Sequence, residues 1–380
     1  MSELMNTRAN GNDFHRRLLT TASAIALMAS VYGGQAARAS DDDADRPVLW
    51  IELGGQLDRL DGAQVPFAPP FFNAITKGGL ESPLEAGRPA IYSNGAEGAI
   101  SFMPDSSDWV FSGSVRYGRS EGHKFLHQQL KSQTTRFPLG GKYITARAPS
   151  NYAETKAANS EAHLVADFQA GKDVGLGMFG SASTSTISLG VRFAEFNAKS
   201  DVTIRALPDA HFRPLEFFGY QVLIPAYHQY FGSAQRASSF QGLGPSISWK
   251  ASTPLSGNVH TGEIALDWGA NAAVLFGRQK ARMHHQSSGR YHYEKCLSAG
   301  CTVIIPLPPH TGTSDRNHSV VVPNIGGFAG VSFNFTNAKV SLGYRADFFF
   351  GAMDGGIDKA RKENQGFYGP FATISVGLGG

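Results

Sequence analysis

Apolar and polar residues alternate with a period of two in several stretches of this chain. The clearest stretch covers residues 340–350. One face of this stretch is apolar throughout, and it consists of Val340, Leu342, Tyr344, Ala346, Phe348 and Phe350. The other face carries Ser341, Gly343, Arg345 and Asp347. Because successive side chains of a β-strand point to opposite faces, the pattern predicts strands with one apolar face.

The same period places ten strands along the chain, and the segments between them alternate in length. The predicted strands are 47–58, 96–103, 109–118, 161–171, 186–197, 239–250, 259–276, 320–335, 339–350 and 367–378. Long segments follow the odd-numbered strands and short segments follow the even-numbered ones. An even strand count with this rhythm is typical of outer-membrane barrels, which have long outer loops and short periplasmic turns.

We therefore predict an all-β fold, a transmembrane antiparallel up-and-down β-barrel of about ten strands. Its long loops would be extracellular and its short turns periplasmic. Two further strands hidden in residues 60–95 and 198–238 would raise the count to twelve. A soluble β-sandwich shows the same period. Aromatic residues within the strand-like stretches, several of them near strand ends, favour the barrel because membrane barrels carry interfacial aromatic girdles.

The first 39 residues have the features of a cleaved export signal. Arg16 and Arg17 precede an apolar stretch from Leu18 to Val31, and the small residues Ala37 and Ala39 follow at the spacing that signal peptidase requires. The predicted organisation is thus a signal peptide at 1–39 and a single outer-membrane barrel domain at 40–380. Removing the signal leaves 30 basic residues, since four of 34 are lost, and 29 acidic residues, since two of 31 are lost. This balance gives no electrostatic support for a nucleic-acid partner.

Charged residues on the small and polar faces of the predicted strands indicate what the lumen contains. The predicted pore-lining residues are Glu52, Arg116, Asp167, Arg192, Glu263, Asp267, Arg345 and Asp347, and Glu97 and Lys250 share their faces. Buried charges need partners or water. The lumen is therefore either a wet channel or an interior closed by charges that pair across it. A barrel of about ten strands has a narrow bore, so the closed interior is a serious alternative.

Several segments resemble the pore-forming major outer-membrane protein family first described from Legionella. The similar pieces are residues 189–196, the glycine-rich 241–245, and the last hairpin at 341–350 and 366–371. The resemblance runs through most of residues 160–380 and implies a pore-forming barrel.

The segment 277–319 contains both cysteines of the chain and several histidines. Cys296 and Cys301 suit a small disulfide in an oxidising compartment, with a pair of free thiols as the alternative. The histidines lack the spacing of a metal motif, so we predict no metal site and no cofactor. The sequence has no G-x-S-x-G and no H-E-x-x-H, and we expect no enzymatic activity.

The function predicted from the sequence is a porin-like passive channel for small hydrophilic solutes or ions in the bacterial outer membrane. The alternative is a closed outer-membrane barrel that acts in adhesion or envelope structure through its surface loops. The expected partners are outer-membrane lipid and the barrel-assembly machinery. The sequence leaves open whether the chain forms a homo-oligomer.

Overall fold

The computed structural model describes residues 48–61, 92–104, 107, 109–129, 132–174, 184–217, 219–295, 301–356 and 359–378. The strands of these segments are β1 Leu49–Asp61, β2 Tyr92–Phe102, β3 Trp109–Gln129, β4 Thr134–Leu139, β5 Lys142–Arg147, β6 Tyr152–Asp173, β7 Thr184–Leu207, β8 His211–Phe217, β9 Tyr220–Asn258, β10 Gly262–Glu294, β11 Thr302–Phe335, β12 Ala338–Asp354 and β13 Lys362–Leu378. The described residues include no helix with the length and hydropathy to cross a membrane. The predicted signal peptide lies outside the described residues.

Ten of these strands close into one antiparallel barrel. Their order around the barrel is β1, β2, β3, β6, β7, β9, β10, β11, β12 and β13. The ring closes where the first strand meets the last, from the pair Leu49 and Leu378 to the pair Asp61 and Gly366. The predicted fold class and the ten predicted strands are confirmed, since each predicted strand overlaps one strand of the barrel.

The two ends of the barrel differ in their connections. One end carries the short connections after β2, β6, β9 and β11, and we call it the turn end. We call the opposite end the hairpin end. A turn of two residues, Thr336 and Asn337, joins β11 to β12. At the turn after β9, the side chain of Asn258 accepts hydrogen bonds from the backbone N–H groups of His260 and Thr261. Asx side chains stabilise turns in this way.

The strands alternate between an outward apolar face and an inward polar face, as predicted. Outward side chains are large, apolar and exposed, among them Ile51, Leu53, Phe111, Leu189, Val191, Leu243, Ile247, Leu266, Phe276, Ile325, Phe333, Leu342, Tyr344, Phe348, Ile374 and Val376. An exposed apolar surface that surrounds the whole barrel fits lipid rather than water. The fold is therefore that of a transmembrane barrel.

The segments predicted as long loops after the fifth and seventh strands are mostly β-structure. The strand β9 has 39 residues and β10 has 33, and the two remain paired from Gly262 and Asn258 to Tyr293 and Ala226. Beyond Phe276, the outward residues of β10 are polar and exposed, and they include Arg278, Lys280, Arg282 and His284. The strand thus continues past the apolar surface. Because the prediction required apolar outward residues, it placed the end of this strand too early.

Three strands lie outside the ring of ten. One additional strand does occur within 198–238, but β8 pairs only with the hairpin end of β9 and does not enlarge the barrel. Of the segment 60–95, residues 62–91 lie outside the described residues. The strands β4 and β5 form a separate hairpin, turned at Gly140 and Gly141 with positive φ. Phe137 of this hairpin packs with Val222 and Ile224 of β9.

An arginine on the outward face of β12 tests the assignment of faces. We expect Tyr344→Arg to destabilise the folded barrel in lipid by about 2–4 kcal/mol, because it places a charge in hydrocarbon near the midplane. Ser341→Arg is the matched control, since Ser341 points inward to a polar cavity and its variant should change stability far less. The measurement is the free energy of unfolding in lipid vesicles.

Gly343 is a poor control although it also faces inward. A β-carbon at this position would lie 2.8 Å from the ring of Phe371 and 2.6 Å from the carbonyl oxygen of Ala329. Equal stability of the Tyr344→Arg and Ser341→Arg variants would contradict the assignment of faces on β12.

Candidate functional site in the barrel lumen

Inward charged side chains meet across the barrel as ion pairs. Arg116 on β3 contacts Asp347 on β12, with 2.5 Å between Nη1 and Oδ2. Arg345 on β12 donates to Glu97 on β2. These strands are not neighbours in the barrel, so both pairs bridge the bore. Gly326 allows this approach, since a β-carbon there would lie 1.9 Å from Oδ1 of Asp347.

Arg192 is the most completely bonded of these groups and is only 2% exposed. Its guanidinium donates to both carboxylate oxygens of Asp167, over 2.7 and 3.0 Å. It also donates to the side chains of Asn271 and Asn324, so it joins β7 to β6, β10 and β11. A bidentate pair with further hydrogen bonds satisfies a charge that has been taken out of water.

On the hairpin side of these pairs, aromatic side chains fill the bore. The aromatic cluster consists of Phe196, Phe240, Phe349 and Phe367, all buried. The ring of Phe196 lies 4.6 Å from Phe349 and 5.3 Å from Phe367 between centroids. Since β7 and β13 face each other across the ring of ten strands, these contacts span the full width of the lumen.

A buried histidine joins the aromatic cluster to the charged layer. The ring of His163 lies 4.1 Å from Phe367, and its Nε2 lies 3.5 Å from Oδ2 of Asp58. The space beside it, lined also by Arg116 and Asp347, has a volume of about 10 Å³. A space of this size holds about one water molecule.

Further ion pairs lie beyond the aromatic cluster, toward the hairpin end. Arg236 on β9 contacts Glu363 on β13 over 2.8 Å. Arg316 donates to both oxygens of Asp354, over 2.7 and 3.2 Å. Burial raises the pKa of the Asp354 carboxyl, but the hydrogen bonds from Arg316 and from the backbone of Arg361 and Gly356 outweigh burial. The net pKa is therefore lowered.

Among the described residues, the lumen is open on the turn side of the ion pairs. A cavity of about 300 Å³ lies there, which we call the turn-side cavity. Its lining includes Ser101, Thr184, Ser252 and Lys339, all of them near the short turns. The lumen of the described barrel is therefore wet at one end and packed with side chains further in.

Most of the predicted pore-lining residues line this lumen. Six line the turn-side cavity, namely Glu52, Arg116, Asp167, Arg192, Asp267 and Arg345. Asp347 lines the small space beside His163. Glu263 faces inward near the turn end and accepts a hydrogen bond from Asn334 over 3.0 Å, but it is not part of the cavity lining. Whether these residues line a conducting pore stays a prediction.

The aromatic cluster was not predicted from the sequence. Phe349 lies on the inward face of β12 and interrupts its polar pattern, between Phe348 and Phe350. Phe196 likewise follows Arg192 and Ala194 on the inward face of β7. A large aromatic residue on a face that is otherwise polar was the available signal that the lumen is filled.

The segment with cysteines and histidines forms the end of the β10–β11 hairpin. Cys301 is disulfide-bonded, whereas Cys296 lies outside the described residues. The rings of His285 and His310 are tilted against each other, with their centroids 5.1 Å apart. Within the described part of the chain, no group of three or more His, Cys, Asp or Glu side chains is placed to hold a metal ion.

The strand pairing, the outward apolar surface and the filled polar lumen define a transmembrane antiparallel β-barrel. No family model matches the chain, and no curated protein matches it. Several solved outer-membrane barrels align with it at low similarity. The transport unit of the autotransporter AIDA-I from Escherichia coli is 7% identical, with 94% of this chain and 97% of that chain covered and a TM-score of 0.20.

Two other solved structures align similarly. The toluene transporter TodX of P. putida is 10% identical over 90% of this chain and 91% of that chain, with a TM-score of 0.19. OmpT of Vibrio cholerae is 7% identical over 87% and 97%, with a TM-score of 0.14. At these TM-scores the likeness carries no argument about function, and the barrel assignment rests on the strand pairing.

The pair of Arg316 and Asp354 predicts a pH dependence of stability. Because the pKa of Asp354 is lowered on folding, the stabilisation is complete above the unfolded pKa of about 3.9 and is lost as the pH falls through the folded value. We expect Asp354→Asn to lower the free energy of unfolding by about 2 kcal/mol near neutral pH, and by less as the pH falls below about 4.

The matched control is Asp315→Asn, which removes an exposed pair with Arg282 at the same end of the barrel. Exposed pairs contribute about 0–1 kcal/mol, so this variant should change little at any pH. Urea titrations in lipid vesicles at several pH values supply the measurement. A difference between Asp354→Asn and the native chain that stays constant down to low pH would disprove the role of this carboxylate.

Proposed function

We propose that this chain is a closed barrel of the bacterial outer membrane that supports its projecting hairpins in adhesion or envelope structure. The single observation that carries the proposal is the aromatic cluster, in which Phe196 contacts Phe349 and Phe367 across the bore. Side chains fill the interior of barrels with eight strands, and ten strands leave only slightly more room.

The location in the outer membrane is supported by the surface and by the sequence. The outward apolar side chains surround the barrel, as expected for a barrel that crosses a bilayer. The predicted signal peptide at 1–39 accounts for export. Insertion would involve lipid and the barrel-assembly machinery.

The hairpins supply the surface that such a protein would present. With about 3.3 Å per residue, the 33 residues of β10 extend much further than a membrane strand of about ten residues requires. The outward residues of this extension are mostly charged or polar. A long and hydrophilic β-surface suits contact with the cell exterior better than control of access to a pore.

A gated pore is the second candidate, and the turn-side cavity favours it. The cavity of about 300 Å³ brings water and charged groups deep into the barrel from one side. Passage of a small hydrophilic solute would require the aromatic cluster to separate. The resemblance to the Legionella-type pore-forming family also supports this candidate.

Single-channel recording in planar bilayers separates the two functions. We expect the native chain to give no stable conductance steps, because the aromatic cluster closes the bore. The double variant Phe196→Ala and Phe349→Ala should give steps, since it removes two rings that meet across the lumen. Each truncation costs about 3–5 kcal/mol, so circular dichroism must show that the variant is still folded.

Phe276→Ala is the matched control, because Phe276 is 58% exposed on the outward face of β10. This variant should remain closed. Stable steps from the native chain would reject the closed barrel and favour the pore.

A further inference from the structure

The turn-side cavity has the dimensions of a binding site for a small molecule. Its volume is about 300 Å³, at the lower end of the range for ligand pockets. Polar side chains converge on it from several strands, among them Gln169 on β6, Ser248 on β9 and Thr373 on β13. The ion pairs of Arg116, Arg192 and Arg345 close its inner end.

Nearly all charged groups that line the cavity neutralise one another. The pairs are Arg192 with Asp167, Arg345 with Glu97, Arg116 with Asp347 and Lys339 with Asp267. Two lining residues are left, Lys250 and Glu52. Among the residues that the structure describes, neither of them has an ion-pair partner within 4.0 Å.

Lys250 and Glu52 come from opposite walls of the barrel. Lys250 lies on β9 and Glu52 on β1, and these strands are five places apart in either direction around the ring. Both side chains line this one cavity, but their charged atoms are too far apart for an ion pair. Ser375 donates to Oε2 of Glu52 over 2.9 Å and holds this carboxylate against its own wall.

The cavity therefore presents a cation and an anion that face each other across a wet gap. A simple anion would be attracted by Lys250 but repelled by Glu52. A simple cation would be attracted by Glu52 but repelled by Lys250. A molecule with both charges a few bonds apart satisfies both walls at once. We propose that the turn-side cavity binds a small zwitterion of the α-amino acid class, with its carboxylate at Lys250 and its ammonium at Glu52.

This site does not depend on whether the barrel conducts, since a ligand enters and leaves from the turn end. Lys250 is itself exposed to solvent, although it points into the lumen.

Calorimetric titration of the folded full chain in lipid nanodiscs tests the proposal with three probes. The probes are L-alanine, propionate with only the negative charge, and ethylamine with only the positive charge. We expect L-alanine to bind at least about tenfold more tightly than either single-charge probe, because each lost charged hydrogen bond costs about that factor.

Two variants locate the charges, and a third is the control. Lys250→Gln and Glu52→Gln should each weaken L-alanine binding by about tenfold. Lys199→Gln, which alters an exposed lysine on the hairpin side of β7, should leave binding unchanged. Lack of L-alanine binding to the native chain would overturn the proposal. Propionate binding as tight as L-alanine binding would also overturn it, because the cavity would then be a simple anion site.

Discussion

Hydrogen bonding of the backbone within hydrocarbon is the constraint on which the rest of this structure depends. No water is present there to satisfy N–H and C=O groups, so a β-sheet can cross a bilayer only if it has no open edge. Pairing of β1 with β13, from Leu49 with Leu378 onward, removes both edges of the sheet. Within the bilayer, closure with alternating faces then directs apolar side chains outward, and the polar side chains of the strands lie inside the barrel.

The interior accommodates these polar side chains in one way near the turn end and in another way further into the barrel. Near the turn end the charged groups keep a wet cavity, and their arginines pair with carboxylates on strands across the bore. Further in, Phe196, Phe240, Phe349 and Phe367 replace water altogether. The proposed functions follow from this order. In these proposals the packed level closes the barrel, and the wet level offers a charged pocket to a small molecule.

Much of the fold could be predicted because lipid imposes a period of two on the sequence. The outward row Val340, Leu342, Tyr344 and Phe348 is continuous, and the strand positions followed from such rows. The series of outward apolar residues stops where the strand leaves the lipid. Arg278, Lys280 and Arg282 gave no apolar signal, although β10 continues through them. The lumen charges were found from the same alternation, but their pairing was not. Arg116 and Asp347 meet through barrel closure over 231 positions of sequence separation, which no local pattern encodes.

Direct observation of the aromatic contacts across the bore tests the central claim that the lumen is closed. The chain, labelled only at its phenylalanine rings and placed in lipid nanodiscs, allows nuclear Overhauser effects between rings to be recorded. Single Phe→Leu variants assign the resonances. The closed barrel predicts cross-peaks from the Phe196 ring to the rings of Phe349 and Phe367, whose centroids lie 4.6 and 5.3 Å away. Assigned rings without these cross-peaks would contradict it.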